Sequence, residues 1–529
     1  MKKRMLSLLL AFACSITLLA GCGGAGEKTK PGENQLTVAG YETPDLTGAK
    51  ITQYMPTNTD SDPEKAWLNS AVENHLGLDL EIVEADGLSN LLRDMVAQWN
   101  LPDLVWSNGY SHASWGVYGE QGVFINILKY LDAMPNVKAF IEDPANEKVM
   151  KAYTYKEGEM YAIPVYQSGS AAIYTFLYRQ DVFEKHDLKW PTNQEEFVAV
   201  LRKLKELYPN SQPFILRNMQ KNIQAAQIMG HLWGASHVVP GKQAFTRRED
   251  GTYYLAPISN AYREMAEFFY DLIGEGLMNK NSLNVDTNGW QKSFYTDESF
   301  ITYDKVDRLP VLNEAGREQN PDFLMAGGEP FNMGSYARET DKVATSFAGG
   351  VSAYAYLIGD NANLDNVLQY VDWLYSDEGQ LMTNWGVEGE SYIIDAKGEK
   401  VFAEGFVEEQ GGWISTGLCQ AATSGKVDFD AYRASCEPYM QEALQIAQKY
   451  TGKGTEQFTL PFNEEEQLLM KTYASGLYKR VCSEWLKFLG GQNDFSQWDA
   501  IFAEIKEIYM HDALQKAHED AYARLQEGK

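Results

Sequence analysis

The chain carries many residues that could perform acid–base chemistry, but few of them occur in a recognised catalytic spacing. It has 73 Asp and Glu residues and 7 His residues among 529 positions. Two carboxylates at a fixed separation are sufficient for glycoside hydrolysis, and a chain with this many acids always contains candidate pairs. The sequence has no G-x-S-x-G elbow, no H-E-x-x-H helix and no Walker loop. His231 and His237 are six positions apart and off one helical face, so they do not form a metal pair. The residue patterns therefore favour binding over catalysis.

Aromatic and polar side chains near the ends of predicted strands are candidates for ligand contacts. Flat aromatic rings offer apolar surface to a ligand, and each buried hydroxyl group of a ligand needs a polar partner. The 12 Trp and 31 Tyr residues supply such rings but do not locate the site. A place in the core is the alternative for each of them. The candidate ligand-binding residues are Asp60, Trp106, Asn108, Tyr110, Tyr166, Gln167, Trp385 and Tyr392, followed by Trp233, Trp290 and Tyr303. Trp385, which stands at a Gly-flanked loop, ranks first among them.

The first part of the body predicts alternating strands and helices. Strands are expected at 50–55, 78–85 and 102–106, with helices opening at Pro63 and spanning 88–99. This order predicts a mainly parallel sheet covered by helices, in which ligands meet the loops beyond the strand ends. The loop at 107–112 is therefore a candidate ligand loop. A second pattern starts near residue 156 and includes a helix capped by Thr192 or Asn193, with Phe197, Leu201 and Leu204 on one face.

The amino terminus has the pattern of an export signal. Three basic residues at positions 2–4 precede an apolar run at 5–19 that is too short for a membrane helix. The ending Leu19-Ala20-Gly21-Cys22 resembles the bacterial lipoprotein signals that are cut before a cysteine. We expect residues 1–21 to be the signal peptide, Cys22 to carry the lipid, and residues 22–35 to form a flexible tether. An ordinary signal peptide with a chance cysteine is the alternative.

Composition predicts a large, acidic, exported body. No second apolar run long enough to span a bilayer follows the signal. The formal net charge is −27, which makes nucleic acid and anionic lipid surfaces poor partners. A chain of 529 residues exceeds what one core organises, so we expect two lobes.

Three cysteines remain after the signal and the lipid site. Cys419, Cys436 and Cys482 are an odd number, so they cannot form a full disulfide framework. A bridge between Cys419 and Cys436 stays open, and three buried thiols are the expectation.

Several motifs give the chain a resemblance to a known family. It resembles family 1 of the extracellular solute-binding proteins, the sugar-type receptors of ABC importers, and within it the long lipoprotein branch of about 500 residues. The resemblance covers the body from about Lys50 to Leu525. The motifs that carry it are Gly158–Pro164, Tyr178–Phe183, Lys189-Trp190-Pro191-Thr192, Glu195-Glu196-Phe197, Asp372–Gln380, Asn384–Gly389 with Tyr392, and Trp498–Leu525.

The resemblance implies a two-lobed, periplasmic-binding-protein-like α/β fold. Each lobe would be a mainly parallel sheet flanked by helices, with a hinge that closes the lobes on a ligand. Lobe 1 would hold residues 36–165 and 354–379, and lobe 2 would hold 166–353 and 380–529. Three crossings between the lobes are expected, near 164–170, 347–354 and 377–385.

The same resemblance implies a function and its partners. The protein would capture a carbohydrate, with an oligosaccharide as the expectation, and deliver it to the permease subunits of an ABC importer. It would be a monomer on the outer face of the cytoplasmic membrane, and its lipid anchor would be its one contact with the membrane. A lipid-anchored glycoside hydrolase and a peptide receptor of the same architecture are the alternatives.

One segment departs from the resemblance. Many members of the long branch carry an oxygen-rich calcium loop after the helix that begins at the Pro-Thr turn. This chain has Tyr208-Pro209-Asn210-Ser211-Gln212-Pro213 there, which offers too few oxygen ligands for a hard cation. We therefore expect no metal at this place and no cofactor. Arg179, near the predicted hinge, is expected to pair with Asp181 or Glu184 and not with a ligand.

Overall fold

The computed structural model contains both strands and helices. It describes residues 42–56, 66–85, 88–108, 112–147, 150, 153–168, 173–221, 223–235, 245–248, 250–337, 350–450 and 460–527. Within these residues the strands are β1 (Lys50–Pro56), β2 (Asp79–Ala85), β3 (Leu104–Asn108), β4 (Ile163–Gln167), β5 (Tyr174–Arg179), β6 (Phe245–Arg247), β7 (Tyr253–Leu255), β8 (Ile301–Lys305), β9 (Met325–Gly328), β10 (Gly350–Ile358), β11 (Tyr392–Ile394), β12 (Lys400–Phe402) and β13 (Lys426–Val427).

The same residues form α-helices that pack on the strands. They are α1 (Trp67–Leu76), α2 (Leu88–Gln98), α3 (His112–Glu120), α4 (Pro135–Glu142), α5 (Gln180–Lys185), α6 (Gln194–Leu207), α7 (Gln224–Met229), α8 (Asn260–Gly274), α9 (Thr287–Tyr295), α10 (Leu309–Arg317), α11 (Leu364–Tyr375), α12 (Asp377–Asn384), α13 (Phe406–Glu409), α14 (Trp413–Thr416), α15 (Phe429–Ala434), α16 (Pro438–Lys449), α17 (Glu464–Leu469), α18 (Ser475–Leu489), α19 (Trp498–Ile508) and α20 (His511–Glu527).

Lobe 1 is built on a six-stranded sheet with the order β13-β4-β10-β3-β1-β2. β1 is parallel to β2 and β3, β13 is parallel to β4, and β10 is antiparallel to both of its neighbours. In β1 the alternate residues Ile51, Gln53 and Met55 are buried, as expected for a strand with one face on the core. These directions bring the carboxyl ends of β1–β4 and β13 to one edge of the sheet.

The predicted β-α-β-α-β order of lobe 1 is confirmed. The strands expected at 50–55, 78–85 and 102–106 correspond to β1, β2 and β3, and the helix expected at 88–99 corresponds to α2. In lobe 2 the helix expected after the Pro-Thr turn is α6. The side chain of Asn193 caps it by accepting from the Glu196 N–H at 2.9 Å.

Lobe 2 contains a smaller sheet with the order β8-β5-β9. β5 is antiparallel to both neighbours, so the expectation of a mainly parallel sheet does not hold in this lobe. Successive residues of β5 face opposite sides. Phe176 packs in a cluster with side chains of α6, α8 and α18, and Leu177 packs in a second cluster with side chains of α9, α10 and α16. The sheet is therefore covered by helices on both faces.

The division of the chain between the lobes differs from the expected one after residue 379. Met382, Trp385 and Leu418 belong to the buried cluster that also contains side chains of β1, β3 and α11. The assignment of 380–529 as a whole to lobe 2 is therefore wrong. β13 extends the lobe 1 sheet beside β4. After residue 379, the chain first returns to a lobe 2 cluster at Phe429.

Three segments connect the lobes. The first lies between Gln167 and Ile173 and the second between Met333 and Gly350, whereas the expected segments are 164–170 and 347–354. The third begins after Val427, where Phe429 packs in a lobe 2 cluster and Ala431 still packs in the lobe 1 cluster, and not at 377–385, where the chain packs in lobe 1. The first and third crossings are bonded to each other: Ser168 N donates to Val427 O at 3.1 Å and Phe429 N donates to Ser168 Oγ at 2.8 Å. The hinge therefore contains two linked segments.

Both lobes belong to one unit of the chain that begins at Leu36. The predicted signal peptide and tether, with Cys22, lie outside the described residues. Within the described ranges, no helix is both long enough and apolar enough to cross a membrane.

Candidate ligand-binding site

The edge where the lobe 1 strands end is the expected place for ligand contacts. Two of the predicted ligand residues, Asp60 and Tyr110, lie outside the described residues. Asn108 is the last residue of β3, where it pairs with Tyr354 of β10, and its side chain is not described. The candidate site therefore consists of the remaining side chains at this edge and of side chains of lobe 2.

An aromatic pair stands at this edge of lobe 1. Trp106 of β3 and Tyr354 of β10 stack with ring centroids 5.0 Å apart and planes 15° apart. The Trp106 Nε1–H donates to the carbonyl oxygen of Ala421 at 2.8 Å, which fixes the indole. Trp106 is buried and Tyr354 is half-buried, so Tyr354 carries the larger accessible surface of the pair. Together they present the type of flat apolar surface on which a sugar ring packs.

Tyr166 and Gln167 end β4, at the start of the first crossing. Both side chains are half-buried. The Tyr166 ring contacts Phe140 of α4 edge-on, with centroids 6.2 Å apart. The backbone of Gln167 pairs with Gly350 on one side and Val427 on the other. Gln167 thus lies where all three crossing segments meet the lobe 1 sheet.

Three predicted ligand residues of lobe 2 are core residues. Trp233 and Trp290 have no exposed surface, and Tyr303 retains 4%. The Trp290 Nε1–H donates to Thr302 Oγ1 at 3.2 Å, and the Tyr303 ring packs edge-on against Phe176 at 5.0 Å. Their burial corrects the expectation that these rings line the cleft. Trp290 instead packs against the guanidinium group of Arg217.

Arg217 and Asp304 form a buried ion pair at the end of β8. The guanidinium Nη2 donates to Asp304 Oδ1 at 2.8 Å and Nε donates to the second carboxylate oxygen. The guanidinium carbon lies 4.9 Å from the centre of the Trp290 ring. Burial lowers the pKa of Arg217, but hydrogen bonds and the charge of Asp304 outweigh it, so the pKa is raised above its ordinary value. Arg217 therefore keeps its positive charge.

Tyr174, Lys305 and Asp307 surround the end of the first crossing in lobe 2. Tyr174 opens β5 opposite Lys305 of β8, whose Nζ lies 6.0 Å from the centre of the tyrosine ring. Burial raises the pKa of the Tyr174 hydroxyl, and the charges of Asp304 and Asp307 raise it further. Burial likewise raises the pKa of the Asp307 carboxyl. The arrangement supplies an aromatic ring, an ammonium group and a carboxylate at the end of the first crossing.

The charge of Asp307 in lobe 2 affects the pKa of Tyr354 in lobe 1. Burial raises the pKa of Tyr354, and the negative charge of Asp307 contributes to this rise. The structure thus brings together Trp106 and Tyr354, of which the sequence predicted Trp106 as a ligand residue.

Trp385 and Tyr392 pack within lobe 1. The Trp385 ring stacks on Phe402 with centroids 5.0 Å apart and planes 17° apart, and Lys400 Nζ lies 5.8 Å from its centre. Trp385 Nε1–H donates to Asp428 Oδ2 at 3.3 Å. Tyr392 is 2% exposed and contacts Trp385 edge-on. These contacts correct the expectation that Trp385 presents a free ring face; its indole instead ties lobe 1 to the third crossing.

The segment 208–213 holds a lysine ammonium group. Lys205 Nζ donates to the carbonyl oxygen of Ser211 at 2.5 Å, and Gln212 N donates to the carbonyl oxygen of Glu298 at 2.7 Å. Within the described ranges, no group of three or more His, Cys, Asp or Glu side chains is placed to hold a metal ion. The absence of calcium at this segment stays a prediction.

The expectations for Arg179 and for the cysteines are confirmed in their main points. Arg179 donates through Nε and Nη2 to both carboxylate oxygens of Asp181, at 2.8 and 2.7 Å. Cys419, Cys436 and Cys482 are free thiols, and Cys436 is the partly exposed member. Burial raises the pKa of Cys436 to about 11 and that of Cys482 to about 12, so both stay protonated and unreactive at neutral pH.

Sequence reasoning missed Tyr174, Tyr354 and Asp307. Tyr354 stands at the end of the segment predicted as the second crossing, and Tyr174 follows the first crossing. Their positions beside crossings were the available signal. Asp307 follows β8 by two residues, and among 73 acids nothing in the sequence distinguishes it.

A family model described as bacterial extracellular solute-binding protein matches residues 60–381. The chain belongs to this family. A curated relative is Lipoprotein LipO of Bacillus subtilis, which is 21% identical over 403 residues, with 74% of this chain and 75% of LipO covered.

Solved structures share the two-lobed fold. The alginate-binding protein AlgQ2 without calcium ion has a TM-score of 0.67 and 21% identity, covering 91% of this chain and 100% of AlgQ2. The Streptococcus pneumoniae ABC-transporter substrate binding protein FusA in complex with kestose has a TM-score of 0.67 and 15% identity, covering 91% of this chain and 100% of FusA. These likenesses confirm the periplasmic-binding-protein-like fold.

Proposed function

We propose that this solute-binding protein is the receptor of an ABC importer for oligosaccharides. It captures a glycan between its two lobes and delivers it to the permease. The protein is a monomer held on the outer face of the cytoplasmic membrane of a bacterium by a lipid on Cys22. Binding is its whole activity, and no catalytic step is involved.

The observation that carries the proposal is the stacked Trp106–Tyr354 pair at the edge of lobe 1 where its parallel strands end. A glycan needs an aromatic surface for its C–H faces and charged or amide groups for its hydroxyls. The pair provides the first, and Asp307, Lys305 and Gln167 provide the second. Because these groups come from both lobes, a bound glycan would stabilise the closed arrangement.

The relatives support a carbohydrate ligand. AlgQ2 is named as alginate-binding, and the FusA structure contains kestose. Both ligands contain more than one sugar unit, and both proteins share the fold of this chain over nine tenths of its length. An oligosaccharide therefore fits the proposed cleft better than a single sugar.

A thermal-shift panel tests the ligand class. The body from residue 36 would be heated with malto-, cello-, manno-, galacto- and fructo-tetrasaccharides, with the corresponding uronate tetrasaccharides where they exist, and with tetrapeptides as controls. A ligand at 100 times its dissociation constant adds about 2.7 kcal/mol to the free energy of unfolding. We expect at least one oligosaccharide to raise the melting temperature and the tetrapeptides to leave it unchanged.

The same panel discriminates the alternatives. A rise with tetrapeptides and none with any glycan would replace the proposal with a peptide receptor. Repeated cleavage of a bound glycan, abolished by mutation of one carboxylate, would replace it with a glycoside hydrolase.

The lipid anchor has its own test. Cys22→Ser should leave the protein exported but released from the membrane fraction by a salt wash, whereas Cys14→Ser, a change inside the signal, should leave it lipidated. The name of the relative LipO supports this part of the proposal. Retention of the Cys22→Ser protein in washed membranes would contradict the anchor.

A further inference from the structure

Asp307 has an unusual environment for a carboxylate. Its Oδ1 atom is buried, and no described residue donates a hydrogen bond to it. Arg308 Nε lies 3.3 Å from Oδ1, but this nitrogen also has no hydrogen-bond partner in the described ranges, so the contact is an ion pair without hydrogen-bond alignment. A buried carboxylate oxygen without a donor is costly, which points to a partner that arrives with a ligand.

Asp307 lies beside the first crossing, and its side chain is 29% exposed although its Oδ1 atom is buried. Its neighbour Val306 donates its backbone N–H to the carbonyl oxygen of Ile173, at the end of the first crossing, at 2.8 Å. The charge of Asp307 contributes to the raised pKa values of Tyr354, after the second crossing, and of Tyr432, after the third; in both cases burial is the larger cause. The hydrogen bond of Val306 therefore places Asp307 beside the first crossing, at the hinge between the lobes.

The cations around Asp307 are largely committed to the protein. Arg217 donates twice to Asp304, and Arg308 is paired with Asp307 itself. The positive charge of Lys305 also lowers the pKa of Asp307, against the larger effect of burial. The ammonium group of Lys305 lies over the Tyr174 ring. A second carboxylate brought to Oδ1 would meet a negative charge, whereas a hydroxyl group would donate to it.

We propose that Asp307 is a specificity-determining residue of the cleft, where its carboxylate accepts hydrogen bonds from a neutral sugar unit and disfavours a uronate unit. This inference rests on the proposed function and adds the chemical class of the ligand. The selected glycans are uncharged at the sugar unit that occupies the floor of the cleft.

Isothermal titration of matched ligands tests the inference. The ligands are the tightest-binding neutral tetrasaccharide of the panel and the same compound with its primary hydroxyl groups oxidised to carboxylates. We expect the wild-type protein to prefer the neutral form by about tenfold or more. Asp307→Asn should weaken binding of the neutral form about tenfold and reduce the preference over the oxidised form, because a charged acceptor is replaced by a neutral one.

Two controls separate ligand contact from a structural role. Asp322→Asn removes one charge from an exposed site of lobe 2 and should leave both affinities unchanged. The melting temperature of unliganded Asp307→Asn should equal or exceed that of the wild type, because removal of a buried charge relieves a cost of folding. Asp307→Ser is a second neutral variant for the same titrations.

Several results would overturn the inference. Unchanged affinities in Asp307→Asn and Asp307→Ser would show that the carboxylate does not contact the ligand. Equal losses for both ligands, together with a lower melting temperature, would show a structural role at the hinge. A tighter affinity of the wild type for the oxidised form would refute the ligand class while leaving the oligosaccharide receptor intact. Failure of every glycan to bind would refute the receptor itself.

Discussion

Tyr354 is the residue on which the proposed site depends most, because it joins the two kinds of contact that a glycan needs. It stacks on Trp106 within lobe 1, and burial, with a smaller contribution from the charge of Asp307 in lobe 2, raises the pKa of its hydroxyl. Trp106 itself is 8% exposed, so much of the apolar surface available to a ligand belongs to Tyr354.

Tyr354→Ala should weaken glycan binding roughly 5- to 150-fold, the equivalent of about 1 to 3 kcal/mol, because the sugar ring loses its stacking surface. Titration calorimetry with the tightest-binding tetrasaccharide measures this change. Tyr270→Ala is the matched control, since Tyr270 is 41% exposed on α8 of lobe 2. Equal affinities for the Tyr354→Ala and Tyr270→Ala proteins would exclude Tyr354 from the site.

A second residue-scale prediction concerns His518 on α20. Its ring is 1% exposed and lies against Phe245, with centroids 4.9 Å apart, and burial lowers its pKa below the ordinary 6.5. The unfolded chain takes up this proton near pH 6.5 and the folded chain at a lower pH, so stability should fall as the pH drops below 6.5.

Urea unfolding at pH 7.5 and pH 5.5 checks the prediction. His518→Asn should lose less stability between these two pH values than the wild type does, although it starts from a less stable protein. His511, whose pKa burial also lowers, should account for part of the loss that remains. An identical loss in wild type and variant would contradict the assignment of this pH dependence to His518.

Residue types indicated the chemistry of the site better than they indicated its members. Trp106 was predicted and lies at the ligand edge, whereas Trp233 and Trp290 are core residues and Trp385 stacks on Phe402. A tryptophan buries apolar surface equally well in a core or in a cleft, so its type alone does not decide between them. The decisive fact for each ring is which neighbour covers its faces, and that requires the fold.

At the scale of elements, caps and periodicity predicted most of the fold. The Asn193 cap and the spacing of Phe197, Leu201 and Leu204 gave α6 correctly. β13 was missed because two residues have no detectable period, and with it the third crossing was misplaced. The antiparallel pairing of β5 was also beyond the sequence, because strand direction depends on partners that are distant in the chain.

The packing of α16 on β9 leads to an element-scale prediction. A Cβ atom on Gly327 would lie 2.7 Å from Cβ and 2.9 Å from Cα of Ala443. Gly327→Ala should therefore push α16 away and lower the free energy of unfolding by about 1 to 3 kcal/mol. Gly274→Ala, on α8, meets no atom within 4 Å and should be neutral or stabilising by about 1 kcal/mol. Urea denaturation of both variants measures the difference, and equal stabilities would contradict this close contact.

At the scale of the whole molecule, the acidic balance and the two-lobed fold agree with an exported receptor for an uncharged ligand. The net charge of −27 acts against polyanions at long range, and the role proposed for Asp307 would act against them in the cleft. The two linked crossings at Ser168 and Phe429 provide a hinge about which the lobes could close.

The central claim is that one oligosaccharide is held by both lobes at once. The most direct measurement is a crystal structure of residues 36–529 with the tightest-binding tetrasaccharide. We expect a sugar ring packed on the Trp106–Tyr354 pair and a hydroxyl group within about 2.5–3.0 Å of an Asp307 carboxylate oxygen. A glycan bound to one lobe alone, or on an outer surface away from Tyr354 and Asp307, would contradict the claim.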